Sequence, residues 1–307
     1  MKKNTLLIMV IVFAMQCNAQ INSIDYFGQV PPDSIPVKFA PGIISKDGRY
    51  ELMTAFSSDG KEFCFTITKR GWSHFDIWYT KYDLNKWSEP EIIPLDSSGG
   101  FGPVFSPENN RLLFSSGHWG NPPVGFILFC KRNQTGWGVP EKFGAPINLE
   151  SDQWQCSIAK DGTLLFCSKR PGGKGDFDIY ISESVNNKYK NVINLEILNS
   201  NEDEYSGFIA PDKSYIIFSS QRAGSYGWDD LYISFRKKDS SWSDPENLGP
   251  KINTINAEFS PHVTPDGKYL IYSVWDKDSQ WSDIYWIRID NLIDRFKIKL
   301  DLTRDKE

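Results

Sequence analysis

The sequence predicts an all-β chain folded as a five-bladed β-propeller of four-stranded antiparallel blades. Three observations carry that expectation. In Glu204–Asn253, short apolar runs at Gly207–Ile209, Tyr215–Phe218 and Asp230–Phe235, with a weaker one near Trp242–Leu248, alternate with turn formers. Runs of that length, rich in Ile, Phe and Tyr, read as strands. The pattern recurs: equivalent turn positions Asp59, Glu108, Asp161, Asp212 and Asp266 stand 49, 53, 51 and 54 residues apart. Three copies also close with Trp-x-x-Pro, at Trp87/Pro90, Trp137/Pro140 and Trp242/Pro245. A four-strand unit repeated at such a period buries its faces only against its neighbours, which is propeller construction.

The elements follow in order. After each turn comes an apolar second strand: Phe63–Ile67, Leu112–Ser115, Leu164–Cys167, Tyr215–Ser219 and Tyr269–Ser273. A polar or Gly-rich loop then leads to a third strand opening at Asp76, Phe126, Asp178, Asp230 and Asp283. The stretch Pro36–Ile44 parallels Pro140–Asn148, which reads as an outermost fourth strand, while the last repeat has three strands and no Trp-x-x-Pro. Val37–Ala40 is therefore expected to complete the last blade and close the ring, removing open sheet edges. The strictly alternating run Phe296–Leu302 is the rival for that outer position.

Turns such as Pro265-Asp266-Gly267, the run Phe218-Ser219-Ser220-x-Arg222-x-Gly224, and Asp178-Ile179-Tyr180 resemble the repeat of TolB-like, WD-repeat-like propellers of bacterial envelopes. The resemblance extends from Val37 to Ile289. It implies the propeller fold and leaves function open, because such folds host unrelated activities. The second repeat departs most, with Gly125-Phe126 in place of Asp-Ile and His118 in place of Arg.

Lys2 and Lys3, the apolar run Leu6–Met15 and Asn18-Ala19-Gln20 form a secretory signal pattern, with cleavage expected after Ala19. Lipidation at Cys17 is the alternative, although Met15-Gln16 lacks the small residue expected just before a lipidated cysteine. The expected organisation is a signal peptide at 1–19, a polar arm at 20–35, the propeller at 36–290 and a tail at 291–307. Formal charge is −5, becoming −7 once Lys2 and Lys3 are removed, and no basic run is clustered along the sequence. Nucleic acid and membrane insertion are accordingly not expected, and a periplasmic or secreted monomer is. No cofactor is expected. Cys64, Cys130, Cys156 and Cys167 lack metal-ligand spacing. A three-residue turn at Lys160-Asp161-Gly162 sets Cys156 opposite Phe166, so free buried thiols are expected rather than a disulfide.

In a propeller the loops entering the innermost strand and those joining second to third strands share one face. Eight residues before each turn position stand Glu51, Gly100, Gln153, Glu204 and Glu258. The second-to-third loops add Arg70, Trp72, His118, Trp119, Arg170, Arg222 and Trp228. Carboxylates, guanidinium groups and ring faces at one concave mouth suit a polar ligand with apolar faces, a glycan above all, or an envelope protein. Recurrence also has a structural reading, in which Arg70, Arg170 and Arg222 bridge to Asp76, Asp178 and Asp230, and Trp87, Trp137 and Trp242 pack on the opposite face. Loop aromatics that do not align between repeats are the better ligand candidates. His262 reads as a hydrogen-bonded core histidine. Two functions of different class follow. One is a non-catalytic binding module. The other is a carbohydrate-active enzyme whose acid and base would come from Glu51, Glu204 and Glu258.

Overall fold

The computed structural model describes residues 24–95, 99–116, 125–134, 136–186 and 188–304. His118, Trp119, Cys17 and the whole signal pattern lie outside them. The described chain is nearly all β, with one helix, Asp290–Arg304.

Among the described residues strand pairing gives sheets of nine, five, four, four and two strands. The nine-stranded one consists of two antiparallel units joined by a parallel bridge between Tyr50 and Ser282, so the chain falls into successive antiparallel units. The innermost strands are Tyr50–Phe56, Gly100–Phe105, Gln153–Ile158, Glu204–Ile209 and Ala257–Val263. Each packs beside the next, and the fifth packs beside the first. The outer strands are two-residue pieces, Glu91–Ile92, Glu141–Lys142, Ile193–Asn194 and Glu246–Asn247. In the last unit that place is taken by Val37–Lys38, with Val37 opposite Trp286 and Lys38 opposite Tyr285.

One hydrogen bond shows that this pairing follows the repeat. The residue after each outer strand donates its N–H to the third strand: Ile93 to Ile77 (2.9 Å), Phe143 to Ile127 (3.3 Å), Leu195 to Ile179 (3.0 Å) and Leu248 to Leu231 (3.0 Å). Phe39 donates to Ile284 in the same way at 2.8 Å. Phe39 is fully buried among Phe27, Phe56, Phe63 and Trp286.

The rival segment is not a strand. Residues 290–304 form a helix that sets Leu292, Ile293 and Phe296 against the cores of the last two units. Three-and-four spacing of those side chains supplies a helical face that competes with the alternation further on. The polar arm is also more firmly seated than its composition suggests. Tyr26 is buried, Phe27 stacks on Trp87 at 4.3 Å, and the Trp87 indole donates to Asp25 O at 3.1 Å.

Cys156 lies opposite Phe166, and the four cysteines among the described residues are buried, with none in a disulfide. Burial pushes the Cys156 and Cys167 thiols up to about 12, so thiolate is scarce at neutral pH. The processed protein should therefore resist an aromatic disulfide reagent at pH 8 when native and release four thiols in denaturant. Two missing thiols in denaturant would reveal a bridge.

Candidate functional site

The repeated carboxylates are inside the fold, and their partners explain why. Glu204 is 0% exposed and accepts from Ser200 N (2.8 Å), Ser200 Oγ (2.7 Å) and Ser220 Oγ (2.7 Å). Glu258, also 0% exposed, accepts from Thr254 N (2.9 Å) and Thr254 Oγ1 (2.6 Å). Glu51 is equally buried and accepts from Lys46 N (3.1 Å) and from the Arg49 guanidinium. Each carboxylate thus pins the loop that enters its own strand. Gln153 does the same in the third unit, accepting from Leu149 N at 3.1 Å and donating to Ser151 Oγ at 2.9 Å. The expected convergence of these acids on an open mouth is corrected by this arrangement: all three are 0% exposed and bonded to their own entering loops, and Glu51 Oε2 is buried with no hydrogen-bond partner.

Arg170 and Arg222 are also staples, with partners other than the aspartates expected. Arg170 donates to Ser168 Oγ (3.1 Å) and to the carbonyls of Pro146 (3.2 Å) and Ile147 (2.7 Å). Arg222 donates to Ser220 Oγ (2.9 Å), Glu204 Oε1 (3.2 Å) and the Leu198 carbonyl. Asp178 and Asp230 are occupied elsewhere. Asp230 accepts from Tyr226 N (2.8 Å), Gly227 N (3.1 Å) and Asn247 Nδ2 (2.7 Å), and Asp178 makes the matching set with Lys174, Gly175 and Asn194. Asp76 is met by His74 at 3.1 Å, and Arg70 is exposed.

Sequence reasoning missed a third staple. Asn148, Asn199 and Asn253 each accept from and donate to the main chain of the third strand, at Ile127, Ile179 and Leu231. The signal was present as Ile147-Asn148, Leu198-Asn199 and Ile252-Asn253, each asparagine five residues ahead of Gln153, Glu204 or Glu258.

Two residues past each of those positions, every inner strand carries a bulge. Met53, Gly102, Gln155, Ser206 and Ser260 have φ of 53°, 64°, 38°, 45° and 52°. Four of the five are not glycine, and each such backbone costs free energy that its surroundings must offset. Neighbouring units provide the anchor: Met53 N donates to Ser273 Oγ (2.9 Å), Gly102 N to Thr66 Oγ1 (3.2 Å) and Gln155 N to Ser115 Oγ (2.9 Å). The bulge side chains then meet one another. Ser260 Oγ lies 3.2 Å from Gln155 Oε1 and 3.3 Å from Ser206 Oγ, and Gln155 Nε2 is 3.5 Å from Met53 Sδ.

These residues floor a central cavity of about 590 Å³. Its walls include Thr54, Phe56, Ile158, Phe208 and His262, and its rim carries Ser58, Glu108 and Lys160 from the first turns. It therefore opens on the face opposite the one expected from the loop residues. Ahead of the floor, the inner strands are packed with rings instead: Phe75–Phe101 at 5.0 Å, Phe101–Trp154 at 6.1 Å, Trp154–Phe177 at 4.4 Å and Trp72–Phe259 at 6.4 Å. On that side Trp228 remains 68% exposed, against Trp275 at 5.6 Å.

His262 Nε2 accepts from Phe56 N at 3.1 Å, and burial pushes the ring down to about 4. It is a neutral acceptor capping an inner-strand donor, as Ser157 Oγ caps Ile209 N at 3.1 Å. Thr54 Oγ1 is buried with no hydrogen-bond partner.

Burial also raises Glu258 to about 7 and the adjacent Asp229 to about 6. An acid whose folded pKa exceeds its unfolded value holds its proton more tightly when folded. Its penalty is therefore present above the folded value and fades as pH falls toward the unfolded one. Glu258→Gln should consequently gain about 1–2 kcal/mol on the wild type at pH 8. That gain should vanish near pH 4.5, as read from urea midpoints. A difference independent of pH would reject the assignment.

No protein-family model matches the sequence, and none of the curated proteins matches it. Among solved structures the chain is similar to a thermostable family-43 glycoside hydrolase, at 14% identity and TM-score 0.54 over 80% of this chain and 91% of that one. It is similar to an α-L-arabinofuranosidase from Lactobacillus brevis, at 14% identity and TM-score 0.50 over 77% and 90%. A TolB from Acinetobacter baumannii matches at 16% identity and TM-score 0.48, over 79% of this chain and 55% of that one. The two glycosidase likenesses show a β-propeller fold. At these identities they show nothing about activity.

Proposed function

We propose that this chain is a non-catalytic binding module, an exported five-bladed propeller that takes a glycan or an envelope protein in its central channel. The five four-stranded units are its blades, and Val37–Lys38 closes the ring as the outer strand of the last one. The recurring Phe39-type hydrogen bond and the parallel bridge between Tyr50 and Ser282 support that closure. The signal pattern at 1–19 supports export to the periplasm or beyond. Among the described residues no helix is long and apolar enough to cross a membrane.

One observation carries the choice of binding over hydrolysis. Glu51, Glu204 and Glu258 are each held by their own loops, and Gln153 fills the same position with an amide. A glycosidase needs two carboxyl groups facing one sugar in different environments. These three are each 0% exposed and bonded to separate loops rather than to one shared space. The central cavity, in contrast, has a volume typical of ligand sites and joins apolar walls to a few hydroxyl and amide groups.

A thermal-shift screen of the processed protein against oligosaccharides and envelope proteins tests the site, because a ligand of the folded state raises the midpoint. Ser58→Trp at the cavity rim should abolish the shift. Trp228→Ala on the other face should leave it unchanged. The reverse pattern would return the site to the face of Arg70, Trp72 and Trp228.

A further inference from the structure

The central cavity does not end at its rim. A second opening of about 720 Å³ lies between the second and third units, and both are lined by Ser106, Pro107, Glu108, Ile158 and Lys160. The two form one trough running outward from the channel. An end-bound chain molecule fits that shape better than a compact one.

The outer part of the trough is basic although the protein is acidic. Arg111, Lys131, Lys142, Lys160 and Lys188 line it, against two acids, Glu108 and Asp161. Asp161 is held by Lys213 at 2.5 Å, and Lys131 pairs with Glu141 at 2.8 Å. Lys142 Nζ lies over the Phe126 ring at 3.0 Å, and Arg111, Lys142, Lys160 and Lys188 remain against one acid, Glu108. Folding gathers them from two units, so the sequence, which has no basic run, hides the patch. Concentrated positive charge along a cleft focuses the field and draws anions to it.

Rings lie along the same stretch. Phe129 sits beneath Arg111 (5.2 Å) and Lys131 (5.8 Å), packs on Phe143 at 4.8 Å, and Phe143 meets Tyr189 at 5.8 Å. Phe143 and Tyr189 are half-buried, leaving partial ring faces beside the cations. Phe129 is 9% exposed, which leaves too little ring for bases to stack on as they do in single-strand nucleic-acid sites. The groove crosses between two units rather than along a free strand edge, so it does not offer the main-chain ladder by which an extended peptide adds to a sheet.

We propose that the trough binds an anionic oligosaccharide, its charged residues along Arg111, Lys142, Lys160 and Lys188 and its uncharged end in the central cavity. The proposal rests on the binding-module reading and narrows it to one ligand class. The cavity floor suits such an end, since it offers Gln155, Ser206 and Ser260 with the neutral His262 beside them.

The test is titration calorimetry of the processed protein with oligogalacturonate, a cello-oligosaccharide of equal length, a poly-glutamate peptide and a single-stranded oligonucleotide. Oligogalacturonate should bind most tightly and weaken as salt is raised. Lys160→Glu with Lys188→Glu should cut its affinity at least tenfold, and Lys277→Glu on the opposite face should not. The milder pair Arg111→Gln and Lys142→Gln repeats the test should charge reversal unfold the protein. Equal affinity for poly-glutamate or the oligonucleotide would overturn the proposal, as would oligogalacturonate binding indifferent to both variant pairs. If oligogalacturonate fails to bind while a neutral glycan or a protein still gives a shift sensitive to Ser58→Trp, this proposal falls and the binding module stands. If nothing gives such a shift, both fall.

Discussion

Phe39→Ala should destabilise the protein by about 3–5 kcal/mol, the range for truncating a buried phenylalanine. Phe39 follows a strand of two residues, Val37–Lys38, so few hydrogen bonds hold that strand to Ser282–Arg288. Its ring supplies the rest, packed at 5.2–6.2 Å from the rings of Phe56, Phe63 and Trp286. Domains of this kind are stable by about 5–15 kcal/mol in total. Loss on that scale would leave the third strand of the last unit with an open edge and a tendency to aggregate. Ile35→Ala is the control, since Ile35 is 72% exposed and should change the denaturation midpoint little. Equal effects of the two substitutions would mean that the N-terminal strand is an ornament rather than the closure.

Asp230→Ala should cost about 3 kcal/mol or more. The carboxylate is 0% exposed and accepts from three donors, Tyr226 N, Gly227 N and Asn247 Nδ2. Hydrogen bonds to a charged acceptor are the strong ones, and their removal strands buried donors. The loss should concentrate in the loop 221–229, visible as faster amide exchange there than in the first unit. Asp230→Asn should recover part of the stability, because the amide oxygen keeps one acceptor. An Asp230→Ala protein as stable as wild type would show that the loop is held by other means, Arg222 first among them.

Much of the fold was legible because its periodic parts use residues with distinctive propensities. Turn acids, aromatic second strands and Trp-x-x-Pro each mark a position, and the likeness of Pro36–Ile44 to Pro140–Asn148 pointed to the pairing of Val37–Lys38 with the last repeat. The bulges were not legible. Of Met53, Gly102, Gln155, Ser206 and Ser260, only the glycine advertises a left-handed backbone. Met53 and Gln155 are held there by hydroxyl groups on neighbouring units, a long-range cause that leaves no local pattern.

The candidate site was legible in part. The Glu positions stood out by recurrence, yet their burial depended on Ser200 and Thr254, four residues upstream, which read as ordinary loop residues. Strand direction led to the expectation of a mouth for those acids, and the structure buries them instead. What strand direction could not tell is that rings such as Phe101 and Trp154 pack that end of the inner strands while the other end opens. The basic trough was invisible for a further reason: Arg111 and Lys188 are remote in sequence and meet only because two units lie side by side.

Calorimetric titration of the processed wild-type protein and its Glu204→Gln variant with the same oligosaccharide tests the central claim most directly. One trace reports binding as a heat that saturates and hydrolysis as a heat that persists. A saturating heat is expected for both proteins, with dissociation constants within about twofold, because Glu204 holds a loop and touches no ligand. A persistent heat in the wild type that disappears in Glu204→Gln would contradict it and make the buried carboxylate a catalyst.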